Sequence, residues 1–453
     1  MQRSNPISQY IKTVCEQIRW KQAHPMVAEE FENHIIDQKN AYIAEGVDEE
    51  TATVKAIHEM GDPVLIGTEL DRTHRPNVEW GLIALTGCVL LLGIVIRLFM
   101  IRDANISGIW TNSILAALLG IGFMIIAYLL DFTSIGVHAK AIYGGLILVT
   151  IAVMMISPTI NGEKLYVPFL LLLLPTVFAG IIYRLRSRGY LGIVLCGGCM
   201  VIPVIIGMAV PNFSSAGLYA LTCLTLLTLA VAKGWFHVNK LMAMLLVYIP
   251  VVITAIMVLL TIVSRSYHWQ RLHTAIDPSL DPMGGGYLGT ITRDMIQGAA
   301  WLGQGERASY PGFPLPQVHT DSVLTYLIHK FGWASFMVIM LLVLSFMIRA
   351  FVLCSRQKSM LGRLVSTSVL ITFTLQVALY IAYNLGLQIF SPLTLPLISY
   401  GGTATIINMF LIGIMLSVFK SGDVVRDRLI QRKRNRLIEF VDGKLIIHLY
   451  TKQ

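Results

Sequence analysis

The chain has 453 residues, of which 55% are apolar and only 13% are charged. Soluble domains carry about 25% charged residues. The composition therefore excludes a soluble enzyme, a nucleic-acid-binding protein and a disordered chain, and the length allows many membrane spans with a further segment.

The net charge of +9 is distributed unevenly. Residues 1–76 contain 13 Asp and Glu against 8 Lys and Arg, so the remaining 377 residues carry 27 Lys and Arg against 13 Asp and Glu. An acidic module precedes a basic body. Basic loops that face anionic lipid explain this excess better than nucleic acid does, and we expect no nucleic-acid partner.

Residues 1–76 predict a small cytoplasmic helical domain. Pro6 can open a first helix, and Pro25 can open a second that ends near Gly46. Asp48 can cap a third helix, and Pro63, after an aspartate, can start a fourth.

The N-terminal segment also resembles the HAAS-type helical domain that precedes some bacterial membrane proteins. The resemblance rests on residues 34–37, 46–52 and 60–63. It implies regulation or an unknown binding partner rather than catalysis. A solvated bundle with no catalytic role is the interpretation that we favour.

Apolar stretches of bilayer length follow from Trp80 onward and predict an all-α polytopic membrane domain over residues 80–420. We place ten spans near 80–101, 109–130, 135–156, 166–183, 190–210, 214–232, 241–263, 331–353, 364–386 and 400–419. Arg97, inside the first span, is expected to snorkel to the outer interface, and a functional role is the alternative.

The basic residues predict the orientation of these spans. Ten spans put both termini on one side, and Arg and Lys concentrate in the connections on that side and in the tail 421–453. By the positive-inside rule, both termini are cytoplasmic. Within the tail, residues 442–443 predict a hairpin turn.

One long outer segment, residues 264–328, interrupts an otherwise tightly connected membrane domain. A loop of this length is usually functional or disordered. Its charges argue for function, because they gather there: Arg271, Asp277, Asp281, Arg293, Asp294, Glu306, Arg307, His319 and Asp321. Its glycines at 284–286 and 303–305 are interpreted as tight backbone turns rather than as a phosphate cradle.

Three motifs share one resemblance. Residues 270–287 run from Gln-Arg-Leu to Gly-Gly-Gly-Tyr, residues 301–321 run from Trp-Leu-Gly-Gln-Gly to His-Thr-Asp, and residues 391–402 end in Ser-Tyr-Gly-Gly. Together they resemble the SEDS family, the FtsW and RodA type of membrane glycosyltransferases. The resemblance covers roughly residues 80–420 and includes ten spans with an outer loop between the seventh and the eighth.

The resemblance implies a peptidoglycan glycosyltransferase of the bacterial cytoplasmic membrane. Such a protein polymerises glycan strands from the undecaprenyl-linked precursor, lipid II, in elongation, division or sporulation. The implied partner is a class B penicillin-binding protein, a transpeptidase. Two rivals stay open: a flippase or transporter of the lipid-linked precursor, and a catalytically silent scaffold or sensor.

Glycan extension from a lipid-linked donor requires a base for the acceptor hydroxyl and cations for the leaving diphosphate. By the resemblance, the base is Asp321, flanked by His319 and Thr320 as substrate-binding residues; a helix N-cap for the eighth span is the alternative for Asp321. Arg271 is the first candidate for the diphosphate and Lys164 the second, with an interfacial anchor as an equal alternative for Lys164.

The last motif adds Ser399 and Tyr400 as substrate-binding candidates, although helix packing alone could explain them. A divalent cation, Mg²⁺ or Mn²⁺, is compatible with a diphosphate, but no metal-ligand spacing is present. The chain also departs from the family pattern. Residues 174–180 keep Pro175 but lack the carboxylate and the lysine that the family carries there.

Overall fold

A computed structural model describes residues 6–21, 23–73, 78–104, 109–160, 163–210, 213–306, 315, 318–389, 391–421, 438–441 and 444–447. Contacts between Cα atoms divide the chain into two compact units, which are described separately: residues 1–76 with 423–453, and residues 77–422.

The first unit begins with four helices: α1 (Pro6–Gln17), α2 (His24–Ala44), α3 (Glu49–Glu59) and α4 (Pro63–Thr73). Their starts confirm the predicted signals, since Asp48 accepts a hydrogen bond from the Thr51 amide at 2.9 Å. Val14 and Ile35 lie fully inside a shared apolar core. The amphipathic faces of the helices thus account for the fold of this unit.

Ten apolar segments of the second unit match the predicted spans. They are α5 (Trp80–Ala104), α6 (Ile109–Leu129), α7 (Thr133–Val137) with α8 (Ala139–Ile156), α9 (Val167–Leu171) with α10 (Leu174–Leu185), α11 (Gly189–Ala209), α12 (Phe213–Ala232), α13 (Lys240–Ser264), α17 (Trp333–Arg356), α18 (Met360–Asn384) and α19 (Gly402–Ser421). Before α9, strands β1 (Thr159–Ile160) and β2 (Glu163–Lys164) form a short antiparallel hairpin.

Among the described residues, nine stretches are long and apolar enough to cross a membrane. One of them, Val167–Ala209, has 43 residues, about twice the length of one span. A 3-10 turn at Arg186–Arg188 and a positive φ of 57° at Gly189 interrupt it. This stretch accommodates the fourth and fifth predicted spans, and the all-helical membrane fold is confirmed.

Helix α6 packs closely against α19. A Cβ added at Gly413 would lie 2.7 Å from the Ala127 Cβ and would also meet the Met124 carbonyl oxygen. Near the end of α19, the Ser417 hydroxyl donates to the Leu130 carbonyl at 2.6 Å. Small residues let these two backbones approach, as is common in membrane helix pairs.

The described part of the long segment 264–328 contains several helices. It contains α14 (Ser266–Ile276), a 3-10 turn at Pro278–Leu280, α15 (Tyr287–Gln297) and α16 (Val323–Phe331). Seven of the nine residues of α16 are buried. Residues 307–314 and 316–317, with the predicted Arg307, lie outside the described residues.

The glycines of this segment allow close backbone contacts. A Cβ at Gly285 would have ordinary space, but one at Gly284 would clash with the Asp281 carboxylate and one at Gly286 with the Pro278 carbonyl. Gly303 has a φ of 84°. These observations agree with the prediction of tight turns.

The snorkelling predicted for Arg97 is wrong. Its side chain is only 2% exposed, and its Nη2 atom donates to the Ser399 carbonyl oxygen at 2.9 Å. A partner 300 positions away in the sequence, which the hydropathy pattern does not reveal, keeps the guanidinium inside the bundle.

The tail contributes two antiparallel strands to the first unit, β3 (Ile438–Val441) and β4 (Lys444–Ile447). This pairing confirms the predicted hairpin. Its turn, residues 442–443, and the basic run at 426–436 lie outside the described residues.

Candidate functional site: a cavity at the start of α16

A cavity of about 990 Å³ lies between α6, α9, α18, α19 and the chain that precedes α16. Its apolar wall includes Leu115, Leu119, Phe169, Leu172 and Ile406, and its polar lining includes Asn112, Lys164, Thr320, Asp321, Gln376, Tyr383 and Tyr400. A concave site of this size with a few polar groups is typical of a ligand-binding pocket.

The turn that carries Asp321 is held by α18. The Tyr380 hydroxyl donates to the Thr320 carbonyl at 3.0 Å, and the Asn384 amide donates to the Asp321 carbonyl at 2.9 Å. Both α18 side chains are buried, with 0% and 1% of their surface exposed. The main chain around Asp321 is therefore fixed, while its partly buried carboxylate lines the cavity.

Asp321 does not occupy the N-cap position of α16, the helix that follows it. The N-cap position of α16 belongs to Ser322. The first amides of α16 bind α18 instead: Val323 donates to the Tyr380 hydroxyl and Thr325 to the Asn384 side-chain oxygen, both at 3.1 Å. The start of α16 is thus satisfied by two residues of a neighbouring helix.

Lys164 also lines the cavity. It ends the β1–β2 hairpin, and its Nζ donates to the Ser157 carbonyl at 3.0 Å. This contact holds the ammonium group of a residue that lines the cavity. Residues 161–162, which belong to the same predicted motif, lie outside the described residues.

Tyr400 and His319 join the last motif to the Asp321 turn. The Tyr400 amide donates to the His319 carbonyl at 2.8 Å, and the two rings meet edge to face with centroids 5.4 Å apart. Tyr400 lines the cavity. Burial lowers the pKa of the His319 imidazole below its ordinary value, which favours the uncharged ring.

Three predicted substrate-binding residues do not line the cavity: His319, Ser399 and Arg271. Ser399 is buried, and its hydroxyl donates to the Leu395 carbonyl at 3.2 Å, within its own turn. Arg271 is exposed on α14. Of the two predicted diphosphate ligands, Lys164 lines the cavity and Arg271 does not, and the role of both stays a prediction.

Sequence reasoning missed the residues of α18. Polar side chains recur at every fourth position of this apolar span, and we name them the α18 stripe: Ser368, Thr372, Gln376, Tyr380 and Asn384. All five are buried. Residues four apart share one face of a helix, so this spacing predicts a polar face on the span and could have identified these residues from the sequence.

A match over most of the chain shows which protein family it belongs to. The model of the FtsW, RodA and SpoVE cell cycle proteins matches residues 78–423, about three quarters of the chain. The chain belongs to this family. It is accordingly a multi-pass membrane protein.

Several curated members of the family are similar over part of their length. The probable peptidoglycan glycosyltransferase FtsW of Idiomarina loihiensis is 27% identical over 223 residues, which cover 46% of this chain and 49% of the relative. The peptidoglycan glycosyltransferase MrdB of Escherichia coli K12 is 25% identical over 222 residues, 48% of this chain and 57% of the relative. The chain spans about half the length of these relatives.

Solved structures share the fold. A chain from a peptidoglycan synthase complex, described as coordinating polymerization and crosslinking, superposes with a TM-score of 0.62 at 20% identity and covers 77% of this chain and 99% of that one. The rod shape determining protein RodA of Thermus thermophilus gives 0.52 at 17% identity, over 76% and 97%.

The departure from the family pattern at residues 174–180 lies in a closely packed helix. Almost all of α10 is buried, including Val177. A Cβ at Gly180 would lie 3.0 Å from a side-chain carbon of Ile135 and would also meet the Ile135 carbonyl. A lysine at position 180 would therefore have to displace α7.

The cavity is a poor match for a protein-held divalent cation. Among the described residues, no group of three or more His, Cys, Asp and Glu could hold a metal ion. Asp321 is the one carboxylate in the described lining of the cavity, and hard cations are usually held by several oxygen ligands. No step of the proposed reaction is therefore assigned to a metal.

Replacing Asn384 by leucine is expected to lower the free energy of unfolding by about 2–3 kcal/mol, because the buried Thr325 amide and Asp321 carbonyl would lose their partner. Thermal unfolding in detergent would measure the change. Gln388→Leu is the control, since among the described residues the Gln388 amide donates one weak hydrogen bond, to the Thr292 hydroxyl at 3.4 Å. Equal unfolding midpoints for the two variants would contradict the role of Asn384.

Proposed function

We propose that this protein polymerises glycan strands from the undecaprenyl-linked peptidoglycan precursor, lipid II. The observation that carries the proposal is the position of Asp321, which lines a cavity together with Lys164 and several apolar side chains. The apolar lining suits a polyprenyl chain, and the polar lining suits the sugar diphosphate. Curated relatives are named peptidoglycan glycosyltransferases.

In the proposed reaction, an acceptor sugar hydroxyl attacks the anomeric carbon of a lipid-linked donor. The new C–O bond forms while the bond from that carbon to the diphosphate oxygen breaks, and the electron pair leaves with the diphosphate. Asp321 accepts the hydroxyl proton as general base. The Lys164 ammonium offsets the charge that develops on the diphosphate, and Thr320 and Tyr400 contact the sugar.

The proposed setting is the bacterial cytoplasmic membrane with both termini in the cytoplasm, as the distribution of Arg and Lys predicts. The proposed partner is a class B penicillin-binding protein. Its support is the similar fold of a chain from a peptidoglycan synthase complex. The HAAS-like identity of the N-terminal helices and their regulatory role belong to the same proposal.

A catalytically silent scaffold is the second candidate function. It is favoured by Val177 and Gly180, which occupy the segment where the family pattern has a carboxylate and a lysine.

A flippase would need a path of polar groups between the two sides of the membrane. The α18 stripe supplies buried polar groups, but the Thr372 hydroxyl donates within its own helix, to the Ser368 carbonyl at 2.8 Å.

The deciding experiment measures glycan polymerisation from purified lipid II by the full-length protein, with and without a class B penicillin-binding protein. Polymer from the wild type and none from Asp321→Ala is the expected result. Equal polymer from both would overturn the base assignment. No polymer from either, with the transpeptidase present, would favour the scaffold, and transfer of lipid II between vesicle leaflets would favour the flippase.

A further inference from the structure

Arg97 is a cation buried in the first span without an acidic partner. It lies in α5, is 2% exposed and takes part in no ion pair among the described residues. Its Nε atom is buried and has no hydrogen-bond partner. A charge inside a membrane protein is costly and usually functional, so its surroundings are informative.

The guanidinium binds three successive carbonyls of the chain that leads into α19. Nη2 lies 2.9 Å from the Ser399 oxygen, with the Leu397 and Ile398 oxygens at 3.3 and 3.4 Å. Carbonyl dipoles that point at one cation stabilise its charge and hold their own peptide groups in place. Arg97 therefore clamps residues 397–399.

The clamped segment has a backbone that few residues adopt unaided. Leu397 has a φ of 66°, in the left-handed region that disfavours a branched side chain. One helical turn before Arg97, a Cβ at Gly93 would lie 2.9 Å from the Ile398 Cα and would clash with the Leu397 carbonyl. The close approach of α5 and the three carbonyl contacts together hold this conformation.

The clamp is connected to the cavity through Tyr400. This residue directly follows the clamped carbonyls, lines the cavity and binds the His319 carbonyl through its amide at 2.8 Å. His319 lies two residues before Asp321. A continuous path of contacts thus runs from a residue of the first span to the turn that carries the proposed base.

We propose that Arg97 is a positioning residue, which fixes residues 397–399 against α5 and thereby sets the place of Tyr400 and of the Asp321 turn in the cavity. Its effect on activity rests on the proposed glycosyltransferase function. Its effect on the backbone does not, so the two can fail separately.

The test measures amide hydrogen exchange of the full-length protein in detergent, in peptides that cover residues 395–403 and 318–322. Arg97→Met is expected to raise the amide exchange rate at least tenfold in both peptides. Arg97→Lys keeps the charge but lacks the planar guanidinium, so its exchange rates are expected to lie between those of the wild type and of Arg97→Met. Arg349→Met is the matched control, because Arg349 binds the Glu79 carboxylate at 2.9 Å, away from this segment. It is expected to leave both peptides unchanged.

Polymerisation from lipid II provides the second readout. Because a small misplacement of reacting groups can cost about 100-fold, Arg97→Met is expected to lower kcat by about 10- to 100-fold with a smaller effect on KM. Unchanged exchange in folded Arg97→Met would overturn the proposal. If that variant does not fold, wild-type exchange and wild-type kcat in Arg97→Lys would overturn it instead.

Discussion

Asp321→Asn is expected to slow glycan polymerisation by about 10² to 10⁴, the range that a positioned general base contributes. Asparagine has nearly the shape of aspartate, but its amide accepts no proton from an acceptor hydroxyl at neutral pH. The rate of polymer formation from lipid II, measured under single-turnover conditions, would report the change.

Folding of Asp321→Asn should be preserved, because α18 binds the turn through main-chain carbonyls of Thr320 and Asp321 that the substitution retains. Thermal unfolding should therefore match the wild type within a few degrees, of the order expected for a change below 1 kcal/mol. Asp294→Asn, at an exposed position of α15, is the control and should polymerise normally. A full rate in Asp321→Asn would remove Asp321 from the base role.

The second large effect is expected at the contact of α6 with α19. Gly413→Ala should lower the free energy of unfolding by about 1–3 kcal/mol, the usual cost of overpacking, because the new methyl would lie 2.7 Å from the Ala127 Cβ and against the Met124 carbonyl. Both helices also line the cavity, so ligand affinity should fall together with stability.

Gly122→Ala on α6 is the matched control, since a Cβ there has nothing within 4 Å. Alanine is favoured over glycine inside a helix by about 0.5–1 kcal/mol, so this variant should be as stable as the wild type or slightly more stable. Thermal unfolding in detergent separates the two substitutions. If Gly413→Ala and Gly122→Ala behaved alike, the close approach of α6 and α19 would not carry the expected stability.

The membrane spans could be predicted because their signal is local. Apolar runs of about 20 residues predict helices whatever their neighbours are, and the structure contains a helix at each of them. The starts of α3 and α4 could be predicted for the same reason, since Asp48 and Asp62 bind amides two or three residues away.

The contacts of the candidate site depend on residues far apart in the sequence. The hydropathy pattern shows that Arg97 is a charged residue inside an apolar span. The pattern does not identify the carbonyls of residues 397–399 as its partners. Arg271 lies in a convincing motif and yet is exposed on α14. Motifs identified Asp321, Tyr400 and Lys164 as candidates, and all three line the cavity.

The α18 stripe can be recognised in the sequence only from its spacing. Taken singly, Tyr380 and Asn384 are ordinary residues of an apolar span, and the repeat of four residues is what places them on one face of the helix. Their role in holding the Asp321 turn depends on the neighbouring position of α16, which sequence spacing does not contain.

The main chain of residues 300–305 supplies hydrogen bonds to the break between α16 and α17. The Gly303 amide donates to the Phe331 carbonyl at 3.2 Å, and the Gly305 amide donates to the His329 carbonyl at 2.8 Å. The Ala300 carbonyl accepts from the Trp333 amide at 3.1 Å. A helix break leaves amides and carbonyls that apolar surroundings cannot satisfy. Trp301 itself is 78% exposed. Sequence change at this motif should therefore be limited by its glycines and its backbone, and the tryptophan side chain should be the part that tolerates replacement.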